Sequence, residues 1–81
     1  MSAKTFTYTI VIDRDPDAGG FVATCPALPG VVTEGDTIEE TLRMAKDAVQ
    51  GYLESLQKDG LPIPTEQEPL VSPVTVQLSP A

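Results

Sequence analysis

Gly35-Asp-Thr-Ile-Glu-Glu-Thr-Leu-Arg-Met-Ala-Lys-Asp-Ala-Val-Gln-Gly-Tyr-Leu-Glu-Ser-Leu-Gln-Lys-Asp-Gly60 carries the signals of one amphipathic helix with both ends marked. Thr37 stands at the N-cap with Glu40 three residues on, a capping box in which each side chain satisfies a backbone N–H the helix leaves unpaired. Glu39 and Glu40 also suit the positive end of the helix dipole. Ile38, Leu42, Ala45, Val49, Leu53 and Leu56 recur at spacings of four, three, four, four and three, one apolar stripe. Glu39, Arg43, Lys46, Gln50, Glu54 and Gln57 fall around the other side. Lys58 in the last turn, Gly60 beyond it and Pro62 after that bring the helix to its end. Gly51, inside the helix, costs about 1 kcal/mol relative to alanine. It marks either close packing against another backbone or a neutral position facing solvent.

Upstream of the helix, Thr5-Phe-Thr-Tyr-Thr-Ile-Val-Ile12 places Phe6, Tyr8, Ile10 and Ile12 on one side and Thr5, Thr7, Thr9 and Val11 on the other. That period of two predicts a half-buried strand. Asp13-Arg-Asp-Pro-Asp-Ala-Gly-Gly20 is dense in turn formers, and Phe21 to Cys25 resumes an extended pattern, so the two runs predict a hairpin. Pro26-Ala-Leu-Pro-Gly30 interrupts with two prolines that cannot donate ladder hydrogen bonds, before Val31 to Glu34 offers a third short strand. Downstream, five of the eight prolines fall after residue 61, which predicts an extended tail. Within it Val74-Thr-Val-Gln-Leu78 has Val74, Val76 and Leu78 on one face, and Pro73 confines it to an edge strand. The predicted order is β-β-β-α-β, an α+β domain whose helix covers one face of a small antiparallel sheet. The expected organisation is a domain over residues 1–64 and a proline-rich tail over 65–81, with the edge strand at 74–78.

The 81 residues carry a net charge of −7, from twelve acids against five bases, with one cysteine, no histidine and no tryptophan. A chain of this length buries only about 60–65% of the surface its unfolded form exposes, so its stability calls for a staple or a partner subunit. One cysteine forms no internal disulfide. Without histidine, nearly all zinc chemistry and the Ser-His-Asp and Cys-His nucleophiles are excluded. Phosphate-backbone binding is disfavoured because Lys4, Arg14, Arg43, Lys46 and Lys58 are scattered among acids. The longest apolar run, Ile10-Val11-Ile12, is far short of the roughly 20 residues that span a bilayer. With no signal-peptide pattern at its start and a free cysteine, the sequence is expected to be cytoplasmic.

Two chemical readings are weighed against simpler ones. Asp13, Asp15 and Asp17 alternate like the start of a calcium loop, but the glycine falls one place late and position twelve is Thr24, so a solvated hairpin turn is the better reading. A two-metal nuclease needs carboxylates converging on one pocket, whereas these acids lie in a turn and about the helix start. No cofactor or metal is therefore expected. Cys25 alternates with Phe21 and Ala23 and reads as a small buried hydrophobe. Leu28, held between prolines, is either a rigid contact residue or a core residue. Glu34, Asp36, Glu39 and Glu40 form an acid cluster suited to a basic partner, although helix capping accounts for much of it.

The run from Phe6 to Ala23, then Cys25-Pro-Ala-Leu-Pro-Gly-Val-Val-Thr-Glu-Gly-Asp-Thr-Ile-Glu-Glu-Thr-Leu42, then Gly60-Leu-Pro-Ile-Pro64, resembles the HicB family of antitoxins. The most specific part is Leu28-Pro29-Gly30 followed by Gly35-Asp36-Thr37 and the helix. The resemblance implies a partial ribonuclease H-like fold that binds and blocks a small basic HicA-like toxin, an mRNA-cleaving ribonuclease. It also implies oligomerisation, for which Val74, Val76 and Leu78 are the candidate edge. Full-length members add a DNA-binding segment, but the 18 residues after Ile63 are proline-rich with no basic helix, so direct DNA binding is not expected. The expected function is thus a non-enzymatic, toxin-neutralising protein-binding module, with Leu28, Glu34, Asp36, Glu39 and Glu40 as partner-binding candidates. The alternatives are a solo homo-oligomer without a toxin and, from another class, a metal-dependent nuclease.

Overall fold

The computed structural model describes residues 4–66 and 71–80. Strands β1 (Val11–Arg14), β2 (Phe21–Thr24) and β3 (Val32–Gly35) form an antiparallel sheet in that order, and α1 (Ile38–Lys58) packs across β3 and β2. The sheet and the following helix are the expected α+β arrangement. Among the described residues, no helix is long and apolar enough to cross a membrane.

Ala23 and Cys25, 1% and 2% exposed, point towards α1, so the residues opposite Ala23, Ile12 and Thr33, share that face. Cross-strand neighbours Val11, Thr24 and Val32, and the next row Asp13, Val22 and Glu34, lie on the face the helix leaves uncovered. The hydroxyl of Thr33 is buried without a hydrogen-bond partner.

The β1–β2 turn is tied by Asp15, whose N–H donates to the Gly20 carbonyl and whose carboxylate accepts from the Asp17 and Ala18 N–H groups at 3.0 and 3.1 Å. Those two backbone donors lower the Asp15 pKa, Ala18 contributing most. After β2, the Leu28 N–H bonds to the Cys25 carbonyl and the Val31 N–H to the Leu28 carbonyl. Pro29 supplies the first central residue of that second turn and Gly30, at φ +101°, the second, the backbone pattern of a type II turn. The paired turns roll Leu28 inward to 0% exposure, where it joins Cys25 and Val31 in the core, against Tyr8, Ile10, Val49, Tyr52 and Leu53. Of the two readings of Leu28, the structure takes the core residue and leaves no contact residue at that position.

α1 begins where the sequence places it: Thr37 accepts the Glu40 N–H on its side-chain oxygen at 3.1 Å. At the other end the Gly60 N–H reaches the Gln57 carbonyl and the Leu61 N–H the Leu56 carbonyl, a Schellman closure. The buried face, however, is centred on Thr41 and Ala45, with Ala48, Val49, Tyr52 and Leu53 beside them. Ile38 and Leu42, expected in the stripe, are 51% and 45% exposed. The helix is rotated because Thr41, a small residue, must meet the backbone of β3. A Cβ on Gly35 would lie 2.7 Å from the Thr41 hydroxyl oxygen and 2.9 Å from its nitrogen, and one on Gly20 only 2.5 Å from the Gly35 carbonyl oxygen.

β1 begins later than the alternation suggests. Residues 4–10 lie outside the ladder, because β2 ends at Thr24 and Pro26 beyond it has no N–H to offer. Tyr8 and Ile10 nevertheless pack on the core, as their phase predicts. The 74–78 segment is in no ladder within this chain, with Val74, Val76 and Leu78 at 84%, 77% and 89% exposure.

Gly35→Ala is expected to lower the unfolding free energy by about 2 kcal/mol through overpacking against Thr41, read from the urea midpoint. Gly51 is exposed with open space around the position its Cβ would take, which settles its reading as neutral. Gly51→Ala should therefore raise stability by roughly 0.5–1 kcal/mol in the same assay.

Candidate protein-binding surfaces

Two surfaces emerge from this arrangement, one on each side of the sheet. The first is the uncovered sheet face. Val11 and Val32, 40% and 63% exposed, flank Thr24 in one row, and Val22 lies between Asp13 and Glu34 in the next. Alternation puts these valines outward because Ile12, Ala23 and Thr33, on the same strands, point at α1. The result is a small apolar centre with carboxylates at its margin.

Glu34, Asp36 and Glu39 are exposed and Glu40 half-buried. They run from the end of β3 into the first turn of α1, so the four predicted acids are neighbours along the chain, with Glu34 on the uncovered sheet face and Glu39 and Glu40 on the helix. Asp13 joins them from across the sheet through the Asp13, Val22, Glu34 row. Leu28 lies in the core, away from this set. Sequence reading set Val11 opposite Ile10 and Ile12 but did not single out Val11, Val22 and Val32 as candidate site residues. The available signal was the phase of Val11, which falls with the threonines of the first strand. Among the described residues, no three Asp, Glu or Cys side chains are grouped to hold a metal ion. Asp15 in particular is engaged with its own turn.

The second surface is a groove between residues 4–10 and α1. Phe6, Tyr8 and Ile10 form one wall, Leu42, Val49 and Leu53 the other, and Lys4 and Lys46 stand at the rim. The chain after α1 closes one end. The Tyr8 hydroxyl donates to the Pro64 carbonyl, and the Glu66 carboxylate accepts from the Thr9 N–H at 2.9 Å and the Thr9 hydroxyl at 2.7 Å. Burial raises the Tyr8 pKa, with smaller contributions from Cys25 and Glu66.

A three-stranded antiparallel sheet backed by one helix, with a Leu-Pro-Gly turn between its second and third strands, defines a small α+β module. The chain belongs to the HicB-like antitoxin family: the family described as the HicB-like antitoxin of bacterial toxin-antitoxin systems matches residues 8–75. A UPF0150 protein of Synechocystis is 35% identical over 73 residues, covering 90% of both chains. A UPF0150 protein of Thermoplasma acidophilum is 44% identical over 59 residues, covering 73% of this chain and 84% of its own. A protein named Antitoxin HicB 1, from Photorhabdus laumondii, is 34% identical over 77 residues, which make up 90% of this chain but 49% of that protein. The chain thus spans about half the length of that relative.

The raised Tyr8 pKa means that its stabilising contribution is fully present below the ordinary tyrosine value of about 10 and is lost as pH rises through the higher folded value. Ultraviolet titration should show a tyrosine component ionising above the ordinary value, and Tyr8→Phe should remove it.

Proposed function

We propose that the chain is a non-enzymatic antitoxin that neutralises a small basic, HicA-like, mRNA-cleaving toxin in the cytoplasm by direct binding. Inhibition is steric: the acidic surface covers the cationic site with which the toxin holds RNA. The observation that carries this reading is the uncovered valine patch bordered by Asp13 and Glu34 and continued by Asp36, Glu39 and Glu40. A toxin built to bind RNA presents the opposite charge, so the net −7 of this chain accelerates encounter while the valines supply the dehydrated centre. Family membership supports the pairing. The protein acts as a homo-oligomer.

Affinity capture at low salt from the source cells should return a near-stoichiometric small basic protein that cleaves mRNA alone and is silent when mixed with this chain. With that pair in hand, raising salt from about 50 to 500 mM should slow association at least tenfold, and Glu34→Lys with Asp36→Lys should slow it similarly at low salt. Val32→Asp should mainly speed dissociation. A salt-independent association rate would sink the electrostatic mechanism. Recovery of the chain alone would favour a solo homo-oligomer.

A further inference from the structure

We propose that the groove beside α1 receives an acidic amphipathic helix from a protein other than the toxin, which lays its apolar face on Phe6, Leu42, Val49 and Leu53 and its carboxylates against Lys4 and Lys46.

The apolar part of the groove is left unfinished by this chain. Rotation of α1 about Thr41 leaves Leu42 45% exposed, and Phe6 on the opposite wall is 40% exposed. Deeper in, Val49 and Leu53 are half-buried. Pro64 and Glu66 close only the end beside Tyr8 and Thr9, so the stretch between Phe6 and Leu42 stays open.

The charge around the groove runs against the rest of the molecule. The chain has five cations and a net charge of −7. Two of the five, Lys4 and Lys46, stand at this rim, and Glu54 is the one acid among the described residues that line it. At physiological salt, charges more than about 8 Å away are largely screened, so an occupant responds to the rim lysines before it responds to the net charge. The complement of this rim is an anion, the reverse of what the acidic junction calls for, and a basic toxin does not fit it.

Size and main-chain chemistry select a helix. The groove offers about 1270 Å³ of space, above the roughly 300–1,000 Å³ usual for small-molecule sites. Walls on both sides suit a rod rather than the flat face of a bilayer. An extended peptide would seek the main chain of residues 4–10, but the Thr9 N–H is already taken by the Glu66 carboxylate. A helix satisfies its own N–H and C=O groups and needs only side-chain contacts. The α1 wall from Leu42 to Gln57 is about 22 Å long, which matches about four turns of a partner helix with apolar residues at i, i+3, i+4 and i+7. Residues 71–80 of this chain contain no Asp, Glu, Lys or Arg and cannot answer the two lysines.

The experiment uses the full chain, enriched in ¹⁵N, at about 0.15 M salt. The probe is a peptide of about 18 residues with leucine at helical spacing and glutamate elsewhere, and its control carries lysine in place of glutamate. The acidic peptide should shift the amides of residues 4–10 and 42–57 and saturate below about 1 mM. Lys4→Glu combined with Lys46→Glu should weaken it about tenfold while keeping the helical circular dichroism, and Leu42→Asp should weaken it about as much. The basic peptide should leave those amides in place. Absence of shifts, an equal response to both peptides, or undiminished binding by the doubly reversed chain overturns the proposal. A stronger response of the same amides to phosphatidylglycerol vesicles would make the ligand a membrane, and shifts that follow the chain's own concentration without peptide would make it a second copy; each of these also overturns it. None of the measurements involves the toxin or the valine face, so failure here leaves the antitoxin reading untouched.

Discussion

The contact on which the rest of this structure depends is the meeting of β3 and α1 at Gly35 and Thr41. Thr41 is fully buried, donates its hydroxyl to the Thr37 carbonyl at 2.7 Å, and leaves no room for a side chain on Gly35. Gly20, in the turn just before β2, closes the same knot, leaving no room for a Cβ against the Gly35 carbonyl. Three backbones therefore converge at one point with almost nothing between them. That convergence fixes the height of the helix above the sheet and its rotation about its own axis, and so decides which helical residues become core.

Seen from there, what could be read in the sequence separates cleanly from what could not. The ends of α1 were legible because caps are local: Thr37, Glu40, Gly60 and Pro62 act within one turn of where they stand. The hairpin, the burial of Cys25 and the inward phase of Tyr8 and Ile10 were legible for the same reason. The rotation at the start of the helix was not, since Ile38 and Leu42 continue the stripe of Ala45, Val49 and Leu53 in sequence while the inward place falls to Thr41. Only the distant glycines choose between them. The start of β1 was hidden too, because the length of one strand depends on where its neighbour stops, here at Thr24 ahead of Pro26. The side chain of Leu28 could not be placed from sequence either, as two successive turns must be combined before its direction is known.

The acids at the strand-to-helix junction have a local folding role. Glu39 and Glu40 belong to the first turn of α1, where carboxylates stabilise the helix, and Glu34 and Asp36 lead into it. Helix initiation thus explains why acids gather at this junction, and the sheet register explains why Glu34, with Asp13, borders an apolar patch. The four acids were singled out in the sequence by charge, while the row that sets Val22 between Asp13 and Glu34 was visible only once strand pairing was known. In the HicB-like family setting, the same junction both closes the domain and presents its charged face.

Each strand of this sheet carries two messages in alternate letters. Ile12, Ala23 and Thr33 speak to the helix, and Val11, Val22 and Val32, next to them in the chain, speak to whatever lies beyond the sheet. Because only one side is covered, mutational drift in the outward letters leaves the inward ones intact. Substitution at the outward positions therefore changes the character of that face one strand position at a time without entering the packing between sheet and helix.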